Sequence, residues 1–216
     1  MTGPEKKKKD INNKSKIQII ASRIAGLFGI GFYNLYYVEK NLLTDIATVE
    51  PLIEIEIRKA ADGEMREILN RLTDKDRKNF EYNIEIKGIC YVAAHKDRIA
   101  AYSWASLKYI YLDGMKLAEL PAKGSYHGDT YVFPEFRGKK ILQKLIDTVY
   151  SDMKQAGCFF TGTIIAKNNI PAVAANKSFH LKYQTAHILR IPGPKPLIIS
   201  KRFIIGASCD SGGISK

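Results

Sequence analysis

The sequence predicts a mixed α/β fold in which a mostly antiparallel sheet is flanked by helices, and three observations carry that reading. Ile53, Ile55 and Ile57 alternate with Glu54, Glu56 and Arg58, the period-two pattern of a strand with one buried face. Ile141, Leu142, Leu145, Ile146, Val149, Tyr150 and Met153 form an apolar stripe at helical spacing, with Lys144, Asp147, Ser151 and Lys154 on the opposite face. The run 158–166 that follows is apolar on both faces and so belongs inside a sheet rather than at its edge.

The remaining elements fall into place around these. Residues 1–16 hold Lys6, Lys7, Lys8, Lys9, Lys14 and Lys16 with no apolar period and read as a disordered basic arm. Residues 17–50 read as a helix followed by a Tyr-rich extended segment. The uninterrupted apolar stretch there, 24–33, is well short of the roughly 20 residues that a bilayer-crossing helix needs. No small-residue cleavage site follows it, so it is not read as a secretory leader. Two roles stay open for it: packing on the main domain or on a second copy of the chain as a homodimer, and lying on an acidic membrane surface beside the Lys arm.

The main domain is expected over 51–206. After the strand that begins near Glu54, Met65, Ile68, Leu69 and Leu72 predict a helix over 63–72 with Asp62 as its cap. Residues 73–87 read as a charged loop. Strands over 88–95 and 98–107 form a hairpin about Lys96-Asp97, and a second, shorter pair turns at Asp113-Gly114. A strand over 126–133 stops at Pro134, which lacks the donor that a strand interior needs. Gly157 ends the amphipathic helix. Asn169 caps a short helix over 171–179 with Pro171 in its first turn, and a strand over 185–191 follows. Residues 192–196 break all periodicity before an edge strand over 197–205 and a flexible tail over 207–216.

Composition narrows the function. With 45% hydrophobic and 26% charged residues, the 216-residue chain has material for one sizeable core and is not wholly disordered. Lys and Arg number 34 against 22 Asp and Glu, and the resulting +12 favours anionic ligands such as phosphates. Nucleic acid is the least favoured of these, since no binding motif accompanies the charge. Cys90, Cys158 and Cys209 are odd in number and widely spaced, which argues for a reducing, cytoplasmic compartment, with membrane-peripheral placement as the alternative. His95, His180 and His187 show no ligand spacing, so no metal is expected. Neither a Gly-x-Ser-x-Gly elbow nor a Walker loop is present, which removes hydrolase and nucleotide-triphosphatase readings.

The informative stretch is 132–142, where a strand runs through Val132 and Phe133 into a basic turn and then the amphipathic helix. Such a turn directs unpaired helix N–H groups at whatever sits above the strand end, and Arg137, Lys139 and Lys140 add positive charge. That is a site for a pyrophosphate, with a merely solvated basic helix start as the bland alternative.

Val132-x-Pro134, Glu135-Phe136-Arg137-Gly138-Lys139 before a helix, and Asn169-x-x-Ala172 opening another resemble the GNAT superfamily of acyl-CoA N-acyltransferases. The order of elements from about Glu54 to Ile191 resembles it too. The resemblance implies a GNAT-like fold and transfer of an acetyl group from acetyl-CoA to a primary amine of a small molecule or amino sugar in a ternary complex. A membrane-surface enzyme with a longer acyl donor or lipid-linked acceptor, and a non-catalytic acyl-CoA-binding or scaffolding protein, are the alternatives. It implies acyl-CoA contacts from Tyr131, Val132, Phe133, Arg137, Gly138, Lys139, Lys140, Ile141, Leu142, Asn169 and Asn176. The later glycines of the family motif are here Lys140 and Leu142. Asn176 stands where many members carry a tyrosine that protonates the leaving thiolate, and asparagine cannot do so. The later Gly-Phe pattern reads His180-Leu181. For the base that deprotonates the amine, Tyr126, His127 and Asp129 lie just upstream on the same strand; Tyr126 is favoured, with Glu119 and His127 behind it. Strand alternation would set Tyr126, Gly128 and Thr130 on one face and His127 and Asp129 on the other. Tyr102 and Trp104 are either walls of the acceptor pocket or core.

Overall fold

A computed structural model describes residues 30–45, 48–176, 182–191, 197–200 and 204–206. The basic arm over 1–16, the helix expected after it, His180-Leu181 and the tail over 207–216 lie outside the described residues. The chain divides into two compact units.

In the larger unit, built on 36–184, the strand order is β1-β8-β7-β4-β3-β2. These strands are β1 (Gly31–Asn41, through its 36–41 part), β2 (Glu56–Lys59), β3 (Ile89–His95), β4 (Arg98–Ser106), β7 (Gly124–Val132) and β8 (Phe160–Ala166). β2, β3, β4 and β7 pair antiparallel, whereas β7 and β8 run parallel. A separate two-stranded sheet, β5 (Tyr109–Leu112) and β6 (Met115–Glu119), turns at Asp113-Gly114, both at positive φ as a tight hairpin requires. The helices are α1 (Asp62–Arg71), α2 (Asp74–Glu85), α3 (Ile141–Gln155) and α4 (Ile170–Asn176). In the smaller unit, β10 (Leu197–Ser200) pairs antiparallel with β9 (Lys182–Ile191) through residues 188–191.

The expected mostly antiparallel sheet flanked by helices is present, with three local corrections. Residues 73–87 are chiefly a helix, α2, rather than a loop. Thr73 is its N-cap and accepts from the Asp76 N–H, while Asp74 and Asp76 favour the positive end of the dipole. The cap of α1 is Ala61 and not Asp62: the Glu64 carboxylate reaches back to the Ala61 N–H at 2.9 Å. β2 is confined to four residues, although Ile53, Ile55 and Ile57 all pack against the core as their alternation predicts.

The core forms on both faces of the central strands. Ile141, Leu145, Ile146, Val149 and Met153 bury the stripe of α3 against one face. On the other, Phe80 of α2 meets Tyr102 edge-on at 5.2 Å and Trp104 at 4.9 Å between ring centroids. Each fully buried residue of this size contributes roughly 1.5 to 3 kcal/mol.

Candidate active site

Two departures from regular pairing shape the site. The β7–β8 ladder ends after three pairs, at Tyr126 and Gly162, so nothing on β8 pairs with the later part of β7. On its other edge β7 carries a bulge. Trp104 opposes Gly128 and Tyr102 opposes Tyr131, so β7 spends one more residue than β4, and Asp129 takes φ +46°. The extra residue inverts the inside–outside alternation beyond it, correcting the uniform pattern expected from sequence. Asp129 joins Tyr126 on the α2 face, where both line one cavity. Thr130 joins His127 on the α3 face, their side chains 3.0 Å apart.

On the α3 face a cleft of about 550 Å³ lies between the end of β7, the turn into α3 and the start of α4. Tyr131, Val132, Arg137, Gly138, Lys139, Lys140, Ile141, Leu142 and Asn169 all line it. Gly138 holds φ +77° in the turn, and Lys140, the N-cap of α3, is itself left-handed at φ +59°. A left-handed cap explains why glycine suits this position, since a Cβ there costs roughly 1 to 2 kcal/mol. Arg137 is braced by its Nε, which donates to the Val132 carbonyl at 3.1 Å. Asn169 caps α4, its Oδ1 accepting from the Ala172 N–H at 3.2 Å.

Of the three backbone donors at 131–133, one is available. The Phe133 N–H donates to the Ala100 carbonyl at 3.0 Å. Antiparallel alternation then commits Tyr131 to Tyr102 and turns the Val132 N–H to the open edge. The Phe133 side chain is buried beneath Arg71, 3.4 Å from its ring centroid, and does not line the cleft. Asn176 does not line it either: its amide donates to the Ala172 carbonyl at 2.8 Å within α4.

A second cavity, about 100 Å³, lies on the α2 face among Asn79, Tyr82, Asn83, Tyr111, Tyr126 and Asp129, with the turn of β5–β6 and Ile164 completing it. Burial, reinforced by the negative charges of Asp76 and Asp113, pushes the Asp129 carboxyl up to about 7. The Asn83 amide donates to it at 3.2 Å.

The other expected catalytic residues sit elsewhere or are occupied. The Tyr126 hydroxyl donates to the Tyr111 carbonyl at 2.9 Å, and burial holds its pKa far above the ordinary tyrosine value. Desolvation pulls His127 down to about 4; it is buried against Ser103 (2.7 Å) and the ring of Tyr150, and lines neither cavity. Glu119 is exposed at the end of β6 and paired with Lys116 at 2.6 Å. Tyr102 and Trp104 are core residues, each 1% exposed, and line neither the cleft nor the small cavity.

The sequence profile of the Acetyltransferase (GNAT) family matches residues 55–180, more than half of the chain. The chain belongs to the GNAT acetyltransferase family. Among solved structures, one assigned to the GNAT family from Novosphingobium aromaticivorans matches with a TM-score of 0.53 and 16% identity, over 76% of this chain and 66% of that one. A Drosophila protein matches with a TM-score of 0.58 and 10% identity, over 76% of this chain and 52% of that one. At these identities the likeness is one of fold, and this GNAT chain spans only about half to two thirds of those structures. No curated protein matches it.

Proposed function

We propose that the protein transfers an acetyl group from acetyl-CoA to a primary amine of a small molecule by direct attack in a ternary complex. The observation that carries this reading is the bulge of β7, which gives one cavity Asp129 and the other Thr130. Donor and acceptor then meet across a single strand, where β8 no longer pairs.

The cleft suits the donor. Arg137 and Lys140, with the first turn of α3, supply positive charge for the pyrophosphate. The Val132 N–H, turned to the open edge, is the donor we assign to the thioester carbonyl as its oxygen gains charge. From the other face, Asp129 in its ionised form takes a proton from the bound ammonium. The freed amine attacks the carbonyl carbon, the N–C bond forms and the C–S bond breaks. The nitrogen gives its second proton to water and the departing thiolate takes one from water in turn, so those two transfers balance; Asn176 offers no proton.

Calorimetric titration with acetyl-CoA, with desulfo-CoA and ATP beside it, tests the donor half. Binding of both CoA compounds and weak binding of ATP is expected, followed by thiol release when amines are added. No binding at millimolar acetyl-CoA would overturn the reading.

A further inference from the structure

Resting on the acetyl-transfer reading, we infer that residues 49–52 form a strap that holds the turn before α3 in the shape that receives the pyrophosphate of the acyl carrier, with Asp147 as its anchor and a positioning residue. Three things carry this: where the strap is tied, how one tie orients a peptide, and what the ties use up.

The strap runs back along the first two turns of α3 and ends on the turn. The Val49 N–H donates to the Asp147 carboxylate at 3.0 Å, and the Leu52 N–H donates to the Lys139 carbonyl at 3.0 Å. Between these ties Glu50 pairs with Lys144 at 3.0 Å, an exposed contact that adds little. Beyond Leu52 the chain is fixed by Ile53 and Ile55, which pack against the core.

The tie on Lys139 decides how its peptide points. A trans peptide sets its C=O and N–H in opposite directions, so holding the Lys139 carbonyl toward Leu52 sends the Lys140 N–H away from it. Lys139, Lys140 and the first turn of α3 line the donor cleft, whereas no residue of the strap does. The strap thus braces the turn from outside the cleft and turns this N–H away from itself. The Lys140 N–H has no partner among the described residues, and the N–H groups of Ile141, Leu142 and Gln143 are left over at the helix start. The turn does not hold this arrangement alone. Gly138 and Lys140 are both left-handed and the cap lacks a side-chain bond, and a strained backbone persists only where its surroundings fix it.

The ties use groups that simple packing would not choose. Spacing puts Asp147 on the polar side of α3, yet it is buried, and its Oδ1 has no partner among the described residues. Burial pushes this carboxyl up to about 6 against the pull of the Val49 N–H and the Lys144 charge, so keeping it ionised at neutral pH lowers stability. Leu52 shows the same bias: its side chain is 64% exposed, and what the position supplies is its backbone N–H.

The test is calorimetric titration of the full chain with acetyl-CoA and with inorganic pyrophosphate, beside steady-state kinetics. Asp147→Ala is expected to raise Kd for acetyl-CoA about tenfold, the scale of one well-placed hydrogen bond, with kcat at saturating acetyl-CoA and KM for the amine unchanged. Asp147→Asn keeps an acceptor for Val49 and is expected to bind about as tightly as the parent. Leu52→Pro removes the other tie and is expected to match Asp147→Ala; where it does not fold, an ester in place of the Leu52 amide removes the same N–H. Because both ties serve one strap, the double variant is expected to lose no more than the larger single loss. Losses that multiply, or acetyl-CoA binding that neither substitution weakens, would overturn the strap and keep acetyl transfer. Pyrophosphate binding that both substitutions weaken, in a chain that does not bind acetyl-CoA, would overturn acetyl transfer and keep the strap. Binding of neither ligand would overturn both.

Discussion

Asp129 and Thr130 are neighbours in the chain yet line different cavities on opposite faces of one sheet. A regular strand would also send adjacent side chains to opposite faces, but with the parity reversed: Thr130 would lie beside Tyr126, and Asp129 beside His127. The bulge exchanges them, and so brings a carboxylate rather than a hydroxyl to the α2 face.

Asp129→Asn is expected to lower kcat/KM by about 10² to 10⁴, the range for loss of a general base, while acetyl-CoA affinity stays as it was. In the parent, kcat/KM should rise with pH as Asp129 ionises near pH 7 and then level off. Steady-state kinetics across pH 5.5–9 check both. A parent profile that is flat through this range removes Asp129 from the role.

The same substitution should stabilise the fold. Below the unfolded aspartate pKa, near 3.9, the carboxyl is neutral in both states. Between there and about 7 the unfolded chain ionises while the folded one resists, so the cost of this residue grows as pH rises and is complete above about 7. Asparagine tolerates the left-handed backbone and escapes that cost. Asp129→Asn is therefore expected to melt higher than the parent at pH 8, with the gap closing toward pH 4, by thermal denaturation at matched ionic strength.

Lys140 sets charge against backbone strain. Lys140→Gly should relieve the left-handed cap, stabilising by about 1 kcal/mol, and at the same time weaken acetyl-CoA binding through the lost cation. Arg137→Ala should weaken binding by about tenfold without the stability gain, since a charge-assisted bond is worth roughly 1.5 to 3 kcal/mol. Calorimetry and melting curves on the two variants separate the effects. Unchanged affinity in both would move the pyrophosphate elsewhere.

Trp104 decides between pocket and core. As a core residue against Phe80, its truncation to alanine should cost about 3 to 5 kcal/mol, with kcat and amine KM little changed in whatever fraction stays folded. Denaturant unfolding and kinetics at low temperature check this. A selective rise in amine KM with stability intact would restore Trp104 to the acceptor site.

Much of the proposed donor side is legible in the sequence because its signals are local. The stripe of α3, the stop at Pro134, the basic turn and the Asn169 cap each follow from residues a few positions apart, and they put nearly all the expected cofactor residues along one cleft. The proposed acceptor side is not legible there, for two physical reasons. α2 buries Phe80 and Asn83 almost alone, so it has no apolar stripe to announce it; the signal was Thr73 with Asp76 three residues on, a capping spacing. The bulge adds one residue to a strand of ordinary composition, and only pairing with β4 reveals it. The resemblance to the family favours Tyr126, whose hydroxyl is already committed to the Tyr111 carbonyl, and regular alternation sets Asp129 on the opposite face.

Asn79, Tyr82 and Asn83 all stand on α2, a 12-residue segment that supplies none of the residues lining the donor cleft. On the proposed reading, part of what distinguishes one acceptor from another is thus written on a segment that the acyl carrier does not touch, anchored in the core by Phe80. On that reading, exchanging residues along the helix would alter the choice of acceptor while the handling of the acyl carrier stayed the same.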